Sequence, residues 1–159
     1  MTKVELKKWI LVSFGALLLS FTPTHCNAIE KDTINTRLND SVLYNYLVDN
    51  NVKQPEIVLT QAKLESANYS SKLYQNKNNL FGMKVAKNRE TTGCGRKGYQ
   101  KYECWKDSVR DYIIWQEKIK FLNKDQYLLY LSKHYSKDAN YKNKIKSMMK
   151  KIDFKKIKR

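Results

Sequence analysis

The chain has 159 residues, with 31 Lys and Arg against 15 Asp and Glu, a formal charge of +16, and only five Gly and two Pro. That length holds one domain, and the composition excludes low-complexity linkers and internal repeats. The charge favours polyanionic partners, through an attraction that salt weakens.

At the N-terminus Lys3, Lys7 and Lys8 precede an apolar run from Trp9 to Phe21, followed by Pro23 and a small residue, Ala28. This layout predicts a signal peptide over residues 1–28 and a mature domain over 29–159 in the periplasm, in the cell envelope or secreted. The apolar run is shorter than the about 20 residues that cross a bilayer. An uncleaved anchor is the alternative. Cys26 would be the lipidated residue of a lipoprotein, although Pro23, Thr24 and His25 before it fit that poorly. Loss of residues 1–28 removes three Lys and one Glu, leaving +14. An oxidising compartment would let Cys94 and Cys104 close a disulfide across their short loop; two unpaired thiols are the other reading. His134 is the one His after the leader, and no metal-ligand spacing is present, so no metal or cofactor is expected.

The few Gly and Pro predict a mainly helical domain. A first helix is expected over about Thr33 to Val48, with Ile34, Leu38, Val42 and Tyr46 on one stripe. A second starts near Pro55, a good first helical residue, with Glu56 at the positive end of the helix dipole. Ile57, Val58, Leu59, Ala62 and Leu64 make this helix apolar around much of its circumference, so it belongs in the core. Glu65 shares a face with Val58, Gln61 and Ala62. Asn68 to Asn79 reads as an irregular loop, and Met83 to Tyr102, with Gly93, Gly95 and Gly98, as a small hairpin or irregular flap. Helical patterns return with Asp107 or Ser108 as N-cap, again over about Asp125 to Lys133, and from Ala139 to Ile152 with a Tyr141, Ile145, Met148, Ile152 stripe.

A Glu on a core-facing stripe is costly to bury ionised. Either a Lys or a backbone donor pairs with it, or it stays protonated with a raised pKa, as a general acid requires. The text around Glu65 bears on that choice. Gln61-Ala-Lys-Leu-Glu65-Ser66 and Asn78-Asn79-Leu80-Phe81-Gly82 resemble the signature of the bacterial glucosaminidases of glycoside hydrolase family 73. Tyr102 to Trp115 and Tyr135 to Tyr141 are similar to two further blocks of that family, in the same order.

The resemblance implies a lysozyme-like, mainly α (α+β) fold of two lobes with a cleft, and hydrolysis of the β-1,4 bond after N-acetylglucosamine in peptidoglycan. It implies that Glu65 protonates the leaving oxygen and that Tyr141 acts near the reacting sugar. Gln61, Asn79, Phe81, Trp105 and Tyr135 become candidate substrate-binding residues, although the Asn-Leu-Phe-Gly string would also serve to cap a turn and plug the core. Trp105 and Tyr69 would stack on sugars or be half-buried surface aromatics. Two departures stand out. Ala67 occupies a position where many relatives carry Gly, and no motif marks a second carboxylate. Glu90, Glu103 and Asp107 are the candidates for it, with an N-cap role competing at Asp107. A water oriented by Tyr141, or the substrate's own acetamido group, would replace it.

The expected partners are therefore peptidoglycan glycan strands and the anionic cell envelope, met by a monomer. Two rivals differ in class. One is a cationic peptidoglycan-binding protein of the same fold that does not cut. The other is a nucleic-acid-binding protein, against which stand the leader and the absence of nucleic-acid motifs, so nucleic acid is not an expected partner.

Overall fold

The computed structural model describes residues 38–86, 90–120 and 123–157. The expected leader over 1–28, Cys26 and the start of the first predicted helix with Ile34 lie outside the described residues. The domain is mainly helical. In chain order come α1 (Asp40–Asp49), α2 (Pro55–Glu65), α3 (Lys72–Lys77), α4 (Trp105–Glu117), α5 (Lys124–Tyr130) running into a π-helical segment (Leu131–Tyr135), α6 (Tyr141–Met149) and α7 (Phe154–Ile157).

The centre is α2. Six consecutive residues, Ile57 to Ala62, are buried, and the helix packs against α1 and α6. Pro55 opens it as expected, after Gln54 in the left-handed region at φ 58°. The corner before it is closed by Gln116 of α4, whose amide accepts from Lys53 N (3.0 Å) and donates to Lys53 O (2.9 Å). Leu43, Leu47, Leu80, Phe81, Val109, Tyr112, Leu128, Leu131 and Ile145 complete the core around α2.

Several element boundaries differ from the sequence reading. The first helix begins at Asp40, because Asn39 is extended and its side chain accepts from Val42 N. Its inward face is Leu43, Tyr44 and Leu47, one position on from the expected stripe. The loop after α2 contains α3, started by Ser71, whose hydroxyl accepts from Tyr74 N. The N-cap of α4 is Cys104, so Asp107 lies inside its first turn and Ser108 is helical. The last long helix is shorter than expected, Tyr141–Met149, with Tyr141 and Ile145 buried.

Residues 83–102 form the irregular flap. Lys84 and Tyr99 make an isolated antiparallel bridge, supported by Val85 N to Gly98 O (2.8 Å) and Gln100 N to Met83 O (2.9 Å). Two adjacent asparagines hold its base. Asn78 donates to the carbonyls of Tyr102 and Glu103. Buried Asn79 donates to the carbonyls of Met83 and Gln100 and accepts from Met83 N. The expected bond between Cys94 and Cys104 does not form. Cys94 is a free, exposed thiol. The flap's own hydrogen bonds explain why Cys94 stays there: its N–H donates to Lys101 O at 2.9 Å and its thiol lies 3.4 Å from the same oxygen.

Candidate active site

Glu65 is the last residue of α2. Ser66 caps the helix, and Ala67, Asn68 and Tyr69 then all adopt positive φ, at 49°, 53° and 65°. Buried Ser66 holds this turn by accepting from Tyr69 N at 2.9 Å. The carboxyl is thus half-buried at the negative end of a helix dipole, two reasons for it to resist ionisation. Burial pushes its pKa above the ordinary range, opposed by a hydrogen bond from Tyr141.

That bond joins two distant parts of the chain: the Tyr141 phenol, at the start of α6, donates to Glu65 Oε1 at 2.6 Å. On the other side stands Gly82 of the Asn-Leu-Phe-Gly string. Its φ is +67°, and a Cβ there would lie 3.4 Å from Glu65 Oε2. A left-handed glycine therefore brings the loop against the carboxyl without a side chain to cover it. Tyr135 stacks on Tyr141 with centroids 6.3 Å apart, and its hydroxyl donates to the Phe81 carbonyl. Burial holds the phenols of Tyr135 and Tyr141 protonated well above their usual range.

The other candidate residues fall in different places. Gln61, Asn79 and Phe81 are wholly buried, so they support the site from behind and present no surface to a glycan. Phe81 stacks on Tyr112 at 4.2 Å, and Gln61 accepts from the Tyr112 hydroxyl at 2.6 Å. Trp105 packs edge-on against Tyr46 of α1 at 5.0 Å. Tyr69 donates to Asp40 at 3.0 Å, beside a bidentate Lys63–Asp40 pair at 2.7 and 2.6 Å. Of the candidate second carboxylates, Glu90 and Glu103 are exposed, on the flap and just before α4. Asp107 is bound to Arg110 at 2.6 Å, and its carbonyl accepts from Thr92, which makes it a brace between flap and α4.

Sequence reasoning missed two buried groups. Asp111, wholly buried, accepts from the Tyr102 hydroxyl at 2.6 Å. Tyr127 joins its hydroxyl to that of Tyr112. Helical spacing places Tyr112 and Gln116 on one face of α4, but periodicity does not report what a phenol meets across the core.

A half-buried carboxyl with a raised pKa, one oxygen held by a phenol and the other beside a bare glycine, is suited to give a proton to a ligand. Residues 43–154 match the glucosaminidase family, described as mannosyl-glycoprotein endo-beta-N-acetylglucosaminidase, and the chain belongs to that family. The chain is similar to Protein bax of Escherichia coli (strain K12), 47% identical over 58 residues, which are 36% of this chain and 21% of that protein. It thus spans about a fifth of that relative's length. Among solved structures it resembles the catalytic domain of the autolysin Auto from Listeria monocytogenes, with a TM-score of 0.49 and 18% identity over 82% of this chain and 96% of the other.

Proposed function

We propose that the protein cleaves the β-1,4 bond after N-acetylglucosamine in peptidoglycan, outside the cytoplasm, with Glu65 as the general acid. The observation that carries this reading is the Tyr141–Glu65 hydrogen bond on a half-buried carboxyl of raised pKa. The acid gives its proton to the glycosidic oxygen as the bond to C1 breaks. The Tyr141 phenol then stabilises the carboxylate left behind, so the same contact serves the product side of the transfer. With Asp107 committed to Arg110, attack on C1 by the substrate's own acetamido oxygen suits a site organised around one carboxyl, a known exception to the two-carboxylate pattern. The leader expected over residues 1–28 supports export.

Digestion of purified peptidoglycan, with mass spectrometry of the reduced products, tests this. Wild-type protein should release fragments with N-acetylglucosamine at the new reducing ends, and Glu65→Gln should lose about 10²–10⁴-fold of the rate, the usual contribution of a positioned acid. Reducing-end muramic acid would move the cut to the other linkage. A wild-type protein that binds the wall and releases nothing would make it the cationic glycan-binding module.

A further inference from the structure

The Glu65–Tyr141 pair lies beside a hydrogen-bonded chain that crosses the core and ends at Gln61. At the far end the Gln116 amide is locked by Lys53, to which it both donates and from which it accepts. Its Nε2 also donates to the Tyr127 hydroxyl at 2.9 Å. A hydroxyl carries one proton, so Tyr127, already receiving a bond, is set to pass its own to Tyr112. Tyr112 in turn donates to Gln61 Oε1 at 2.6 Å. All four of these side chains are buried.

The last link is the informative one. With Oε1 taken by Tyr112, the Gln61 amide must turn Nε2 the other way. That atom is buried and makes no hydrogen bond, and the amide lies where it acts on the Tyr141 phenol. A donor facing the phenol oxygen leaves the phenol's own proton no use on that side. The proton goes to Glu65 Oε1, as observed. Apart from the Gln116 bond back to Lys53 O, the bonds from Lys53 N to Gln61 Oε1 run one way, towards Glu65, and such chains polarise one another in a low-dielectric core.

We propose that Gln116, Tyr127, Tyr112 and Gln61 are positioning residues that hold Tyr141 as a donor to Glu65 Oε1, leaving Oε2, beside Gly82, as the oxygen that carries the proton to the substrate. The proposal rests on Glu65 being the acid, and it deepens that reading by assigning the oxygen and the residues that select it. Among the described residues, the titratable groups seen to interact with Glu65 are Tyr141 from α6 and Tyr135 from the π-helical segment, both uncharged at neutral pH. If the chain is cut at Tyr112, Gln61 is free to present Oε1 to Tyr141 and take its proton. Glu65 then loses a bond that favours its ionised form, and its pKa rises.

The experiment is an NMR titration of the ¹³C-labelled Glu65 side-chain carboxyl in wild type, Tyr112→Phe, Tyr141→Phe and the double variant. Tyr112→Phe should move the Glu65 midpoint upward, in the same direction as Tyr141→Phe. The double variant should titrate like Tyr141→Phe alone, because the first change acts only through the second. A midpoint unchanged by Tyr112→Phe, or shifts that add in the double variant, would overturn the proposal and leave Tyr112 as core packing. Tyr127→Phe, which removes one hydroxyl and little volume, should give a smaller shift of the same sign and serves if Tyr112→Phe does not fold. The alkaline limb of kcat/KM on soluble peptidoglycan strands should follow the midpoints while KM changes less than twofold. Because the titration needs no turnover, an active Glu65→Gln would refute the acid assignment without deciding the chain.

Discussion

At the residue scale, the cost of holding a carboxyl at the buried end of a helix has a measurable counterpart in stability. The folded-state pKa of Glu65 lies above its ordinary value, so the folded protein binds a proton more readily than the unfolded chain. The associated stability is present below the unfolded pKa and is lost as pH rises through the folded one. Glu65→Gln should therefore be more stable than wild type at neutral pH, by on the order of 1 kcal/mol, with the advantage vanishing below about pH 4 in thermal melts. Catalysis runs the same way, since an acid must hold its proton. The rate should fall on the alkaline side at a pH above the ordinary Glu range.

Ala67 is a second residue whose chemistry can be read singly. The sequence departs here from a glycine common in the family, and the backbone is left-handed, at φ 49°. An L side chain is strained in that region, by roughly 1 kcal/mol, while Gly enters it freely. Ala67→Gly should raise the midpoint of denaturant unfolding, equivalent to about 0.5–1 kcal/mol after the entropy Gly adds to the unfolded chain. Activity should be unchanged, since the Ser66 clasp on Tyr69 remains.

At the element scale, the Asn-Asn-Leu-Phe-Gly string works as a joint between flap, α2 and α4. Asn79 closes the flap's base with three bonds, Leu80 N donates to Ser108 of α4 at 3.1 Å, and Gly82 meets Glu65. Asn79→Leu would strand the Gln100 carbonyl and the Met83 N–H in the interior, while the Met83 carbonyl keeps its bond from Gln100 N; this should cost about 2–4 kcal/mol in chemical denaturation. Gly82→Ala places a methyl 3.4 Å from Glu65 Oε2 on a backbone at φ +67°. It should lower stability by about 1–2 kcal/mol and activity by more than the stability loss explains, seen as reduced kcat on protein shown to be folded. The same element shows where periodicity stopped being informative. An Asn cap at position 39 and a Ser cap at 71 set helix boundaries; in a stretch rich in Asn, Ser and Tyr, many residues have the chemistry to cap and only one at each end has the geometry.

At the scale of the whole molecule, 31 Lys and Arg against 15 Asp and Glu leave a formal charge of +16 that ion pairing within the chain cannot neutralise. Binding of the protein to purified cell walls should therefore weaken steeply between about 50 and 500 mM salt in a sedimentation assay, as screening shortens the reach of surface charge. Glu65→Gln should show the same salt dependence, because that attraction does not pass through the acid.

Much of this architecture was legible in the amino-acid sequence. The apolar run from Ile57 to Ala62 makes α2 a core helix wherever its neighbours lie, and Pro55 and the polar turn after Glu65 bound it. The family signature singled out Glu65 and Tyr141, and the structure joins them by a hydrogen bond across 76 positions. What only the tertiary structure decided is which face each polar side chain met. Gln61, Asn79 and Phe81 turned inward to build the site instead of lining it, Asp107 went to Arg110, and Cys94 stayed apart from Cys104. The physical reason is that burial and pairing depend on which helices become neighbours. One chain's periodicity fixes the face of a helix but carries no record of the phenol or amide that will stand opposite.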